Sequence, residues 1–326
     1  MKKTMVWLCS ALLLLFLSGC GETKPEPDDS DGGSEPAQRT LGMGAVSTNT
    51  MHGTDRTRVK TTVAAVILDT RGRIVECEID ELDFMVTLTD GVAAEVPDLT
   101  TKGEKGDRYQ PTTEDAGEAG DTATPWHQQV EEFCDFVEGK TGAEVSALAA
   151  TDGKSPQIDG CDLILTDFIL AVRKAADNAA PHKIGAGDDL QVAITAAKAE
   201  AATDQKPQYD VEMAAVTLDS GDRITGCVTD SLQAKLTVTD RAFTTVSGGI
   251  DTKRDKGDAY GMKSASGIQR EWYEQADAFA VYARGKTGAE LARLALGDDG
   301  KTDVIAGCTI DVSRMLRNTV KAATED

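Results

Sequence analysis

The sequence predicts an α+β protein made of two tandem copies of one unit, each a small antiparallel sheet packed with helices. Two observations carry that reading. Blocks of residues recur in fixed order down the chain, and inside each block a β-rich hairpin pattern gives way to helical stripes. Ala64-Ala65-Val66-Ile67-Leu68-Asp69 returns as Ala214-Ala215-Val216-Thr217-Leu218-Asp219, and Arg73-Ile74 with Cys77 as Arg223-Ile224 with Cys227. Lys105-Gly106-Asp107-Arg108-Tyr109 is echoed by Lys256-Gly257-Asp258-Ala259-Tyr260. Gly139-Lys140-Thr141-Gly142-Ala143-Glu144 recurs unchanged at 285–290, and Gly160-Cys161 as Gly307-Cys308. The offset stays between 146 and 151 throughout.

Each element follows from its residues. Val63 to Leu68 is β-rich, and Thr70-Arg71-Gly72 turns it into Ile74 to Ile79, a hairpin. A third strand is expected around Met85 to Thr89, then a polar Gly/Asp/Lys loop. Helices follow from Pro125 and from Glu271. Trp126, Val130, Phe133 and Val137 form one helical stripe, matched by Trp272, Ala276 and Phe279, so both Trp are read as core. Gly139 and Gly285 end these helices. Thr141 and Thr287 then open new ones, with Glu144 and Glu290 at capping-box spacing. Final helices cover about Leu165 to Asn178 and Ser313 to Ala323. Between the copies, Ile184 to Ala202 is Ala-rich and is expected to be helical, with Thr203 to Gln208 leading into the second hairpin.

The N-terminus reads differently. Lys2 and Lys3 precede an apolar stretch, Met5 to Leu17, too short to span ~30 Å of hydrocarbon as a stable anchor. It closes on Leu17-Ser18-Gly19-Cys20, which resembles the lipobox of bacterial lipoproteins. The resemblance implies a signal peptide over 1–19, a lipidated Cys20, and attachment to the extracytoplasmic side of the membrane. The Pro/Gly/Ser/Asp/Glu-rich segment behind it has little to bury and is expected to be a disordered tether, giving 20–42 for lipidated Cys and tether. The first repeat is then 43–182 and the second 183–326. About 285 residues beyond the tether suit two modest domains.

The chain carries 34 basic and 55 acidic side chains, net −21, and removing Lys2 and Lys3 makes the remainder more negative still. Nucleic acid, itself polyanionic, is therefore excluded from the reading, since its binding rests on cationic side chains neutralising phosphates. Gly139-Lys140-Thr141 lacks both the upstream Gly and the preceding strand of a phosphate-binding loop. The acidic loop at 298–303 lacks calcium-loop spacing, and His52, His127 and His182 lack metal-ligand spacing. No catalytic group or metal site is expected. In an oxidising compartment the simplest disulfide pattern is Cys77–Cys161 and Cys227–Cys308 with Cys134 free; unpaired buried thiols are the alternative.

One segment carries chemistry. Asp303-Val304-Ile305-Ala306-Gly307-Cys308-Thr309, just before the last helix, resembles the Asp-x-x-Ser/Ala-Gly-Ala-Thr motif of the extracytoplasmic FMN-binding domains. Asp303, Ala306, Gly307 and Thr309 match it, and Cys308 stands where Ala is usual. The resemblance implies FMN joined by a phosphoester to Thr309 by a separate flavin transferase, and service to a redox partner in electron transfer. It also implies that the start of the last helix, near Ser313, lies by the FMN phosphate. The first copy has Asp162 at the acceptor place and no hydroxyl to esterify, so it is read as degenerate. Lys256 and Tyr260 are candidate contacts to phosphate and ring. Two alternatives stay open: a cofactor-free structural or partner-binding surface lipoprotein, and a solute-binding lipoprotein of a transporter.

Overall fold

The computed structural model describes residues 39–324, apart from 97, 118, 119, 121, 149, 201 and 246. The signal peptide, Cys20 and most of the tether lie outside the described residues. Copy one runs β1 (Thr40–Met51), β2 (Arg56–Leu68), β3 (Ile74–Thr89), a short β4 (Val92–Ala93), α1 (Lys102–Lys105), α2 (Thr113–Ala116), α3 (Trp126–Val137), α4 (Gly142–Ser146), α5 (Thr166–Asp177) and a short β5 (Ala180–Pro181). Copy two runs β6 (Asp189–Lys198), β7 (Gln208–Leu218), β8 (Ile224–Lys235), three two-residue strands β9 (Val238–Thr239), β10 (Ala242–Phe243) and β11 (Gly248–Gly249), then α6 (Lys253–Lys256), α7 (Trp272–Ala283), α8 (Gly288–Leu291) and α9 (Ser313–Ala322). The α+β class is as the sequence predicts.

The sheets are antiparallel, ordered β1-β2-β3 and β6-β7-β8, and both carry a bulge at the same place, Ile67/Leu68 and Thr217/Leu218. Their inner faces pack against each other. Leu41, Met43, Val63, Leu82 and Phe84 of copy one share a core with Leu190, Ile194, Tyr209, Met213 and Leu232 of copy two, and the Phe84 and Tyr209 rings lie 5.2 Å apart. Each outer face is covered by the copy's own helices: α3, α4 and α5 over one, α7, α8 and α9 over the other. The layers therefore run helix, sheet, sheet, helix, which explains why residues 63–68 and 213–216 are buried at every position.

One polar contact between the copies recurs as a reciprocal pair. Lys174 of α5 meets Asp255 of α6 at 2.7 Å, and its counterpart Lys321 of α9 meets Glu104 of α1 at 2.8 Å. Such reciprocity is what a two-fold relation between equivalent surfaces produces.

Four expectations need correction. The Ala-rich segment forms strand β6 over 189–198 rather than a helix. The first repeat starts in β1 at Thr40, inside the segment assigned to the tether. The third strand near Met85 is not separate, because β3 continues from Ile74 to Thr89. Lastly, Cys77, Cys134, Cys161, Cys227 and Cys308 are all free buried thiols, so neither Cys77–Cys161 nor Cys227–Cys308 is formed.

The recurring Gly-Lys-Thr-Gly-Ala-Glu block ends one helix and caps the next. Gly139 and Gly285 adopt φ of 75° and 79°, open to Gly without strain. Thr141 and Thr287 form capping boxes with Glu144 and Glu290. Arg73 and Arg223 clamp the turn by donating to the Gly139 carbonyl at 2.5 Å and the Gly285 carbonyl at 2.8 Å.

Candidate functional site

The segment 303–309 is a loop between α8 and α9. Ile305 and Cys308 turn inward to the outer core of copy two, and Asp303, Val304, Ala306 and Thr309 stay exposed. Cys308 thus fills core volume at the place where the motif has Ala, and burial pushes its thiol up. Gly307 has φ of +83°, which favours Gly, and the Arg270 guanidinium lies over it. Arg270 donates a long bond to the Gly307 carbonyl, 3.4 Å.

Thr309 is fixed from below. Its backbone N–H donates to Gln275 Oε1 at 2.9 Å, and its hydroxyl reaches the same oxygen at 3.2 Å. Gln275 is fully buried on α7, and its Nε2 donates to the Arg270 carbonyl at 3.2 Å and to Ser266 Oγ at 3.3 Å. Copy one repeats the device: the Asp162 N–H donates to Oε1 of fully buried Gln129 at 2.8 Å. The two glutamines escaped the sequence reading. Their signal was a polar residue three positions after each stripe Trp, in both copies.

A shallow cleft of about 820 Å³ lies over the Asp162 loop, with Thr124, Lys154, Ser155 and Gly160 among its walls. Another depression in copy two, of about 630 Å³, has Lys253, Trp272, Asp311, Ser313 and Arg314 among its walls and none of residues 303–309. Asp311 accepts the Ser313 N–H at 2.8 Å, so the first amide of α9, expected near a phosphate, is already held by a carboxylate. Lys256 and Tyr260 are half-buried and are not brought to Thr309: among the described residues no hydrogen bond or ion pair joins them to it. Tyr260 instead packs on the outer core, with Lys253 Nζ 5.7 Å from its ring.

Beneath the depression, copy two keeps a buried polar pair. Glu212 accepts from Ser231 Oγ at 2.9 Å, and burial pushes its carboxyl up to about 7. Burial also lowers Lys253, which lies 4.7 Å from the Trp272 ring. Because the folded value of Glu212 exceeds its ordinary 4.5, its favourable contribution is complete below about pH 4.5 and is lost as pH rises through about 7. Glu212→Gln should therefore match the unsubstituted protein near pH 4.5 and exceed it in stability above pH 7. Urea midpoints measured across that window check the sign, and a variant weaker at high pH would refute it.

No known protein family and no solved structure matches the chain. A 41-residue stretch is 46% identical to a chlorophenol reductase of Desulfitobacterium hafniense. That stretch is 13% of this chain and 12% of the reductase, so the chain matches only about an eighth of the length of that curated relative. No helix among the described residues is long and apolar enough to cross a membrane.

Proposed function

We propose that this chain is an extracytoplasmic lipoprotein, anchored through Cys20, that carries FMN on Thr309 and serves electron transfer at the outer face of the membrane. The observation carrying the proposal is Thr309 itself: an exposed hydroxyl on a loop whose backbone is pinned to buried Gln275. A transferase needs such access, and the N–H bond to Gln275 survives when the hydroxyl leaves it to form the ester. Arg270, whose guanidinium makes a long bond to the Gly307 carbonyl, supplies a nearby cation for a phosphodiester. The residues present thus fit the ester, although Asp311 keeps the α9 terminus from contributing its first amide.

Bound FMN would supply the redox chemistry, and the chain positions and anchors it. Copy one offers a carboxylate, Asp162, where the ester would form, and this would repel a phosphate. The short likeness to a protein named chlorophenol reductase is to a protein of redox function, which supports a redox setting.

The test is co-expression with a flavin transferase, followed by denaturing electrophoresis under blue light. Fluorescence and an FMN mass adduct are expected in the unsubstituted protein and absent in Thr309→Ala. A native-host protein with neither signal overturns covalent attachment. It would favour the second reading, a cofactor-free surface lipoprotein, which the occupied α9 terminus supports.

A further inference from the structure

We infer that Cys77 and Cys134 are a disulfide-forming pair, and that the bond ties α3 to the edge of the copy-one sheet. Cys77 points from β3 to the outer face, and Cys134 points down from α3 into the same core. The neighbouring Cys77 side chain, more than burial, pushes the Cys134 thiol well up. Both line a cleft of about 850 Å³ that runs along β3 between α3 and β6, with Trp126, Val130 and Val192 among its walls. A small disulfide can therefore approach them from solvent.

The duplication sharpens the assignment. Cys77 has its counterpart in Cys227, and Cys161 has its counterpart in Cys308. Cys134 is the cysteine with no counterpart, since α7 has Ala280 at that place, and it is the one that stands against another thiol. Cys227 shares the outer core of copy two with Ala280, and burial pushes its thiol up. Copy two is thus an internal control without the second sulfur.

The chemistry is thiol–disulfide exchange with a low-molecular-weight disulfide such as oxidised glutathione. One protein thiol loses its proton and attacks a sulfur of the oxidant, releasing one glutathione thiolate and leaving a mixed disulfide. The second protein thiol, deprotonated in turn, displaces the other glutathione. The Cys77–Cys134 bond forms, two protons are released, and the two electrons end on the two glutathione thiolates, which take up those protons. The inference does not depend on the flavin reading.

The full chain is purified reduced, incubated with oxidised glutathione, denatured in an alkylating agent and mapped by mass spectrometry without reduction. Peptides bearing Cys9 or Cys20 are scored apart. One cross-linked pair joining Cys77 to Cys134 is expected, with Cys161, Cys227 and Cys308 recovered alkylated. Cys134→Ala reproduces the residue pair of copy two, so it is expected to fold. It should lose the cross-link and the rise in thermal midpoint that oxidation gives the unsubstituted protein. Recovery of Cys77 and Cys134 as free thiols after oxidation, or a bond from either to a different cysteine, overturns the inference.

Discussion

Replacing Lys102 by Met is expected to cost about 3–5 kcal/mol of stability at neutral pH, the range for stripping one partner from a buried ion network. Lys102 is 1% exposed. Its Nζ bonds to the carboxylates of Glu81 and Asp115 and lies 3.8 Å from Asp83, 5.1 Å from the Tyr109 ring and 5.8 Å from the Trp126 ring. Burial alone would lower its pKa, but Glu81 and Asp115 outweigh burial and hold it above the ordinary lysine value. Burial likewise works to raise Asp115, and Lys102 reverses that, leaving the carboxyl below its ordinary 3.8.

Because the folded value of Asp115 is depressed, its contribution is present above pH 3.8 and fades as pH falls through the lowered value. In Lys102→Met the stranded carboxylates relieve themselves by taking up protons, so the gap to the unsubstituted protein should narrow as the solution is acidified. Lys253→Met is the comparison. Copy two has Ser231 where copy one has Glu81, and Lys253 is lowered rather than raised, so its loss should be the smaller. Urea unfolding of both variants at pH 7 and near pH 4 decides the matter. A cost for Lys102→Met below that of Lys253→Met would remove the network from the account.

This network also explains a misreading of the sequence. Asp80, Glu81 and Asp83 lie between Ile79, where one strand is expected to end, and Met85, where a third is expected to begin. The charges are tolerated within one continuous β3 because Lys102 pairs with Glu81, and Arg58 pairs with Asp83. Partners that lie 21 and 25 positions away in sequence leave no local signal.

The hairpin turns, the helical stripes and the capping boxes, by contrast, were legible because each depends on residues within a few positions, and the order of the recurring blocks revealed the duplication, though not its first strands β1 and β6. What the duplication concealed is exchange between partners. Thr62 donates to Glu81 in copy one, whereas Ser231 donates to Glu212 in copy two, so hydroxyl and carboxylate have traded strands. The ion pair Lys60–Asp167 likewise returns as Asp210–Arg314 with its signs reversed. Position-by-position comparison scores these as differences, although the contacts persist. At the Thr309 loop the sequence located the exposed hydroxyl, but not Gln275, whose role depends on a contact 34 positions away.

Replacing Gly44 by Val is expected to cost about 3 kcal/mol, near the upper part of the range for overpacking a well-filled core. Gly42 and Gly44 lie on the face of β1 that meets α5. A Cβ on Gly44 would meet the Ala171 carbonyl, the Ala175 nitrogen at 2.5 Å and Lys174 Cβ at 2.6 Å. The opposing atoms are largely helix backbone, which cannot swing aside. In a strand interior Gly ordinarily costs roughly 0.5–1 kcal/mol relative to Ala, so propensity favours substitution and steric exclusion must exceed it. The close approach has a purpose visible in the hydrogen bonds: Lys174 Nζ donates to the Ala45 carbonyl at 2.8 Å, and Asn178 Nδ2 to the Met43 carbonyl at 3.2 Å, satisfying carbonyls along β1. Copy two does the same with small Ala193 on β6, where Lys321 reaches the Ile194 carbonyl and Asn318 the Ala193 carbonyl. The small residues that made β6 resemble a helix, like the glycines of β1, are those that let a helix lie against a strand. Gly44→Val should therefore lower the urea midpoint and deprotect β1 amides to hydrogen exchange before those of β7. If it leaves the midpoint unchanged and β1 protected, α5 does not need that contact, and the argument for small residues on both strands fails.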